Sequence, residues 1–302
     1  MGSVRGLFDR LERFYDTVPR DGARVAELGS FVLFVRSGTH ASYARPRTGS
    51  AAPNAADLAT MRAQQRELGL PEVFEWVHES TPDLLPHAEA GGLVVLRAPL
   101  LVLDPAAVPP GAGDRARLLD PDRPRFAADV AVRRAIAQVG FGSPGMLVGP
   151  AGAVERDAAT VALAADDLAG ERRWHRSGRV ASALAPARGP ALSSGLFQRV
   201  DDVAEIAGVA TVPAARRIGL AGAVTAALAI RARDTGAGLV FLTAGSDEVA
   251  RVYERVGFRR AGTACIAEPP PASAAVPPTY STGAGDGQHG PSLAFPPVGG
   301  LA

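Results

Sequence analysis

The sequence predicts an α/β protein built in two halves, and three observations carry that prediction. Residues 203–258 place an apolar strand, a glycine-containing turn, a helix, a second apolar strand and a tyrosine-bearing helix in immediate succession, the order of a βαβ unit. At 302 residues and 47% hydrophobic content the chain can bury two modest cores. Proline and glycine accumulate over residues 104–125, at Pro105, Pro109, Pro110, Gly111, Gly113, Pro121 and Pro124, so this stretch reads as a linker.

Residues 1–15 form a charged amphipathic segment with Phe8, Leu11, Phe14 and Tyr15 on or near one face, the pattern of a packed helix and not of an export signal. Residues 56–68 have helical spacing, Val73-Phe74-Glu75-Trp76-Val77 is strand-like, residues 83–90 suit a short helix, and residues 93–103 supply apolar strands. In the second half, residues 126–139 and 157–171 read as amphipathic helices. Residues 179–186 and 191–200 read as an antiparallel pair leading into the strand that carries Glu205.

Pro213 closes that strand to further pairing, and residues 221–233 follow as a helix. Leu220, Val224 and Leu228 recur every four residues along one stripe, with alanines beside them for close packing on a sheet. Residues 234–238 end this helix. Residues 239–243 are a short apolar strand suited to burial on both faces, and Gly245-Ser246-Asp247 starts the next helix with a capping residue. Cys265, the only cysteine, excludes an intrachain disulfide and suits a buried filler in the strand after Phe258. From residue 269 the chain turns Pro-, Gly- and Ser-rich, and residues 269–302 are expected to be disordered, with Phe295 a candidate docking point.

The turn Arg216-Arg217-Ile218-Gly219-Leu220-Ala221 carries the chemistry. The first amides of a helix have no intrahelical partner and a partial positive charge of about half a unit, so they attract phosphate oxygens. Gly219 lets the backbone approach a pyrophosphate, Ala221 is nearly as small, and Arg216 and Arg217 can add charge-assisted hydrogen bonds.

Here the chain resembles the GNAT superfamily of N-acetyltransferases. Its pyrophosphate loop follows the pattern Gln/Arg-x-x-Gly-x-Gly/Ala, which Arg216, Gly219 and Ala221 match. A second signature, a helix ending in Leu-Tyr-Glu-Lys-Leu-Gly-Phe, is matched by Val252-Tyr253-Glu254-Arg255-Val256-Gly257-Phe258. Glu205 stands eleven residues before Arg216, the offset of the general base in histone-acetylating members. The resemblance implies a mixed, partly splayed central sheet flanked by helices, and direct transfer of an acetyl group from acetyl-CoA to an amine. It makes Glu205, or a water it orders, the base and Tyr253 the acid. Val209, Ala210, Thr211, Arg216, Arg217, Ile218, Gly219, Leu220 and Ala221 become cofactor contacts. Val209 supplies a backbone amide to the oxyanion, provided that its strand carries a bulge. Ser246 or Asp247 stands where some members carry an Asn on the cofactor.

The domain reading is a smaller, degenerate GNAT-like module over residues 1–104, a linker over 105–125, the catalytic domain over 126–268 and a tail over 269–302. Ala88-Glu89-Ala90-Gly91-Gly92-Leu93 overlays Tyr253-Glu254-Arg255-Val256-Gly257-Phe258, with alanine in place of the tyrosine and no phosphate loop upstream of Ala56. This half is expected to complete the sheet and wall the acceptor cleft.

Composition narrows the partners. A formal charge of +1 with scattered arginines argues against a nucleic-acid surface, and no run of eighteen apolar residues could span a membrane. All 32 basic residues are arginine, which fits a GC-rich bacterial genome and leaves only the N-terminal amine for self-acetylation. His40, His78, His87, His175 and His289 show no metal-ligand spacing, so no metal is expected. Trp76, His78, Trp174 and His175 are candidates to line an acceptor pocket. The expectation is a cytoplasmic monomer or homodimer acting on a small-molecule or peptide amine. A non-catalytic acyl-CoA sensor is the alternative, disfavoured by the presence of both Glu205 and Tyr253.

Overall fold

Strands from both halves of the chain hydrogen-bond into one mixed sheet flanked by helices. The computed structural model describes residues 4–36, 42–110, 115–143 and 145–271. The N-terminal half contributes α1 (Val4–Arg20), β1 (Ala23–Leu28), β2 (Phe31–Arg36), β3 (Tyr43–Pro46), α2 (Ala55–Glu67), β4 (Phe74–Val77), α3 (Leu84–Ala90) and β5 (Val94–Leu103). There follow β6 (Arg117–Leu118), α4 (Phe126–Phe141), α5 (Ala153–Ala158), α6 (Ala165–Arg176), β7 (Val180–Ala185), β8 (Ser193–Val200) and β9 (Val203–Thr211). The chain then forms α7 (Leu220–Asp234), β10 (Leu239–Thr243), α8 (Asp247–Glu254) and β11 (Phe258–Glu268).

The strand order is β1-β2-β3-β4-β11-β5-β10-β9-β8-β7-β6. Apart from β6, it reads the same from either edge once the halves are exchanged. Three antiparallel strands come first, then a parallel partner, then the last strand of the opposite half. The topology therefore repeats, as the overlay of residues 88–93 on 253–258 anticipates. The repeat extends further than the overlay: β1, β2 and β3 match β7, β8 and β9. No break in the sheet falls at residue 104, because β5 lies between β10 and β11, with ten residue pairs to β11.

Two elements differ from expectation for local reasons. The helix expected over residues 157–171 is split into α5 and α6. The Thr160 hydroxyl donates to the Arg156 carbonyl, and the Arg156 side chain is tied to the Ala191 carbonyl at 2.5 Å, so the chain stops at Ala158 and restarts with acids in the first turn of α6. The expected linker adds β6 to the sheet edge, where Arg117 makes two bonds of 2.7 and 2.8 Å with Asp129 of α4. Residues 272–302, including Phe295, lie outside the described residues.

α4 and α7 cover opposite faces of β8 and β9. The Ser194 hydroxyl donates to the Arg133 carbonyl of α4, whereas its neighbour Gly195 lies against Val224 and Leu228 of α7. α1 places Phe8, Leu11, Phe14 and Tyr15 on Val203, Leu239 and Phe241. An N-terminal helix thus packs on the strands of the other half. Cys265 is buried among Phe74, Trp76 and Leu84, as a filler.

Two features open the sheet. β9 and β10 pair from Leu239↔Val203 only to Phe241↔Glu205 and then part. Against β8, the register of β9 shifts around Gly208 (φ +62°) and Val209, a bulge that turns the strand away from β10. The expected splay and its bulge are both present.

Candidate functional site

After Thr211 a single 3-10 turn, Pro213–Ala215, ends the strand, since proline cannot extend the ladder. Arg217 (φ +67°) and Gly219 (φ +85°) then take left-handed conformations that reverse the chain into α7. The first helical bond runs from the Ala223 amide to the Gly219 carbonyl, at 3.1 Å. The amides of Leu220, Ala221 and Gly222 precede it and have no intrahelical acceptor. A Cβ on Gly219 would lie 3.1 Å from Nη2 of Arg115, whose guanidinium donates to the Ile218 carbonyl at 2.6 Å. The loop is thus a bare-backbone cradle with a cation at its side.

The side chain of Arg216 does something other than expected. Its guanidinium donates to the carbonyls of Gly140 (2.9 Å), Leu147 (3.0 Å) and Ser143, and its Nε to that of Thr211 (3.4 Å). Gly140 closes α4, so the cation sits at the negative end of a helix dipole and pins the neighbouring loop to the strand end. Four of its five N–H donors thus meet carbonyls, while the residue also lines the cavity. Arg217 and Ile218 are exposed at the loop tip.

Ser246 caps α8, its hydroxyl accepting from the Val249 amide at 3.2 Å. The helix carries Tyr253 inward, where the ring packs edge-on to Phe258 with centroids 6.4 Å apart. Burial pushes the phenol up to about 12, so it holds its proton throughout the neutral range.

Glu205 stands where β9 and β10 part, and is 2% exposed. The Tyr15 hydroxyl donates to its Oε1 at 3.4 Å; Oε2 has no hydrogen-bond partner among the described residues. Burial, with the Glu75 charge beside it, raises this carboxyl well above the ordinary range, while Arg45 and Tyr15 hold it down.

One cavity of about 950 Å³ joins these parts. Glu205, Val209, Ala210, Thr211, Arg216, Arg217, Ile218, Gly219, Leu220, Ala221, Ser246 and Tyr253 all line it. Trp76, His78, Trp174 and His175 do not. Trp76 is buried in the core of the N-terminal half, and His175 meets Ser182 and the ring of Phe126. Among the described residues, no group of three or more His, Cys, Asp or Glu side chains could hold a metal, and no helix is long and apolar enough to cross a membrane.

Residues 191–266 match the family model described as FR47-like protein. The fold is similar to that of a GCN5-related N-acetyltransferase from Kribbella flavida, with a TM-score of 0.65 and 22% identity over 87% of this chain and 95% of that one. The likeness is one of fold. A GCN5-related N-acetyltransferase from Sphaerobacter thermophilus is similar at a TM-score of 0.50, with 16% identity over 79% of this chain and 76% of that one. No curated protein matches.

An apolar wall of this cavity and a cation beside the loop carry no local sequence signal. Leu96 and Ala98 of β5 and Ile266 of β11 supply an apolar wall, and Arg115 stands beside the loop. Residues 93–103 read only as apolar strand. Nothing in their order signals that β5 inserts beside β10, because strand exchange is a long-range pairing. Arg115 lies in a stretch whose prolines and glycines read as linker.

Proposed function

We propose that the protein is an acetyl-CoA-dependent N-acetyltransferase that acts on an amine of a small molecule or peptide. One observation carries the reading. A single cavity runs from the partnerless amides at the start of α7, past the protonated Tyr253, to Glu205 at the splay, whose Oε2 is buried and has no hydrogen-bond partner among the described residues.

The residues present fit the cofactor. The amides of Leu220, Ala221 and Gly222 would hold the pyrophosphate, beside a loop where a Cβ on Gly219 would crowd the Arg115 guanidinium. Val209, Ala210 and Thr211 would flank the pantetheine arm, and Ser246 would lie beside it. When bound, the cofactor supplies an acetyl thioester. Glu205 takes a proton at Oε2 from the ammonium form of the acceptor. Its raised affinity for protons brings it closer to the working pH than an ordinary carboxylate of about 4.3. Tyr253 gives the proton of its hydroxyl to the departing sulfur, and the Val209 amide at the bulge donates to the carbonyl oxygen. The apolar wall of Leu96, Ala98 and Ile266 keeps water from competing with the acceptor. We place the protein in the cytoplasm, as a monomer or homodimer.

Titration calorimetry with acetyl-CoA and coenzyme A, beside a thiol-release assay over a panel of amines, tests the reading. Micromolar binding with turnover is the expected result. Binding without turnover on any amine would replace the enzyme with an acyl-CoA sensor, and no binding would remove the loop from function.

A further inference from the structure

We infer that the N-terminal half completes the active site through Tyr15, a positioning residue that holds Oε1 of Glu205 and so presents Oε2 to the cavity. The inference rests on the proposed role of Glu205 as base.

Among the described residues, the charged and titratable groups that act on Glu205 come from the N-terminal half. α1 supplies Tyr15, β3 supplies Tyr43 and Arg45, and β4 supplies Glu75, while Glu12 of α1 pairs with Arg45. Arg45 lies 3.4 Å from Glu12 and 3.7 Å from Glu75, so one guanidinium serves a cluster of three carboxylates that includes Glu205. A second carboxylate oxygen left bare beside this cluster asks for a donor. The N–H of an amine entering the cavity is such a donor.

Tyr15 is clamped too firmly to be an incidental neighbour. Its ring meets Phe14 edge-on at 5.8 Å and Phe241 at 5.5 Å, and the Arg45 guanidinium lies 4.4 Å above it. Phe241 is the β10 residue paired with Glu205 at the last rung before the strands part. The ring is therefore fixed to the same rung as the carboxylate it touches. Phenylalanine would fill this position equally well by shape, so what the tyrosine adds is its hydroxyl, aimed at Oε1. A donor on one oxygen fixes the carboxylate plane and favours the ionised form, and both serve a base.

The test is Tyr15→Phe in the full chain, labelled with 13C at the glutamate carboxyl. The Glu205 resonance is assigned by its loss in Glu205→Gln. Removing the donor should raise the Glu205 titration midpoint by about 0.5–1 pH unit and move the acid limb of kcat/KM by the same amount, with coenzyme A affinity held within about twofold. A natively folded Tyr15→Phe with an unmoved midpoint overturns the inference. Should that variant lose its fold, 4-fluorophenylalanine at position 15, which keeps the ring and its para bulk without the donor, is read the same way, and an unmoved midpoint there also overturns the inference. The midpoint is read without turnover. A midpoint shifted in Tyr15→Phe, beside a wild-type chain that acetylates no amine, would therefore uphold the contact and sink the enzyme reading alone.

Discussion

Gly219→Ala tests the phosphate loop at its most constrained point. Gly219 sits at φ +85° and ψ 12°, where a side chain costs about 1–2 kcal/mol. The new methyl would lie 3.1 Å from Nη2 of Arg115. That group ends an exposed, flexible side chain and can swing aside, at the loss of its 2.6 Å bond to the Ile218 carbonyl, about 0.5–1.5 kcal/mol. Together these amount to about 1.5–3.5 kcal/mol, or a melting temperature lower by about 3–14 °C at 2–4 °C per kcal/mol. The loop relieves such strain by turning its peptide planes, which tilts the amides of Leu220 and Ala221 off the cradle. Each misaligned bond to a charged phosphate costs about 1.5–3 kcal/mol, so coenzyme A should bind about 10- to 150-fold more weakly. Differential scanning calorimetry and titration calorimetry on the same samples read both effects. A chain that melts lower but binds coenzyme A with unchanged Kd would refute the cradle and leave Gly219 as a turn residue only.

Tyr253→Phe keeps the ring against Phe258 and removes only the proton, so kcat should fall by about 10²–10⁴ with coenzyme A affinity unchanged; equal turnover would release Tyr253 from the role of acid. Glu205→Gln trades activity for stability. Folding raises this carboxyl above its ordinary value of 4.5, so wild-type stability falls as pH climbs from about 4.5 through the folded value. The glutamine variant lacks that fall and should melt higher than wild type at pH 8 but not at pH 5; melting curves at the two pH values decide. Gly195→Ala places a Cβ 3.0 Å from both Val209 and Val224, so either β9 or α7 must move; a loss of about 1–3 kcal/mol in urea unfolding is expected, together with weaker cofactor binding through the displaced Val209.

The legible parts of this protein are those whose signals are local. The apolar run ending at Pro213, the glycine before α7, the four-residue stripe of Leu220, Val224 and Leu228, and the Ser246 cap each depend on residues a few positions apart. Those elements were placed to within a residue or two. The same locality let the GNAT signatures be matched to the loop and to the helix of Tyr253. The first three strands went unread, although Phe31-Val32-Leu33-Phe34-Val35 after Gly29 and Ser30 is a strand signal of the ordinary kind. Residues 157–171 read as one helix because their apolar spacing is helical, whereas the tether of Arg156 to Ala191 is a contact across 35 positions.

Sequence alone determined which residues could meet a phosphate, give up a proton or take one. Tertiary structure decided which of them are free to do so. Arg216 fits the loop pattern, yet folding also brings the end of α4 under it, and most of its guanidinium donors meet carbonyls. Arg115 fits no pattern, yet the sheet-edge strand sets it beside Gly219. Glu205 is one acid in an apolar run until the sheet splays at its rung and α1 crosses from the other half to bring Tyr15 against it. The physical reason is the same in each case. Local propensity acts over a few residues of chain, whereas desolvation, charge pairing and strand exchange act between groups that only the closed fold makes neighbours.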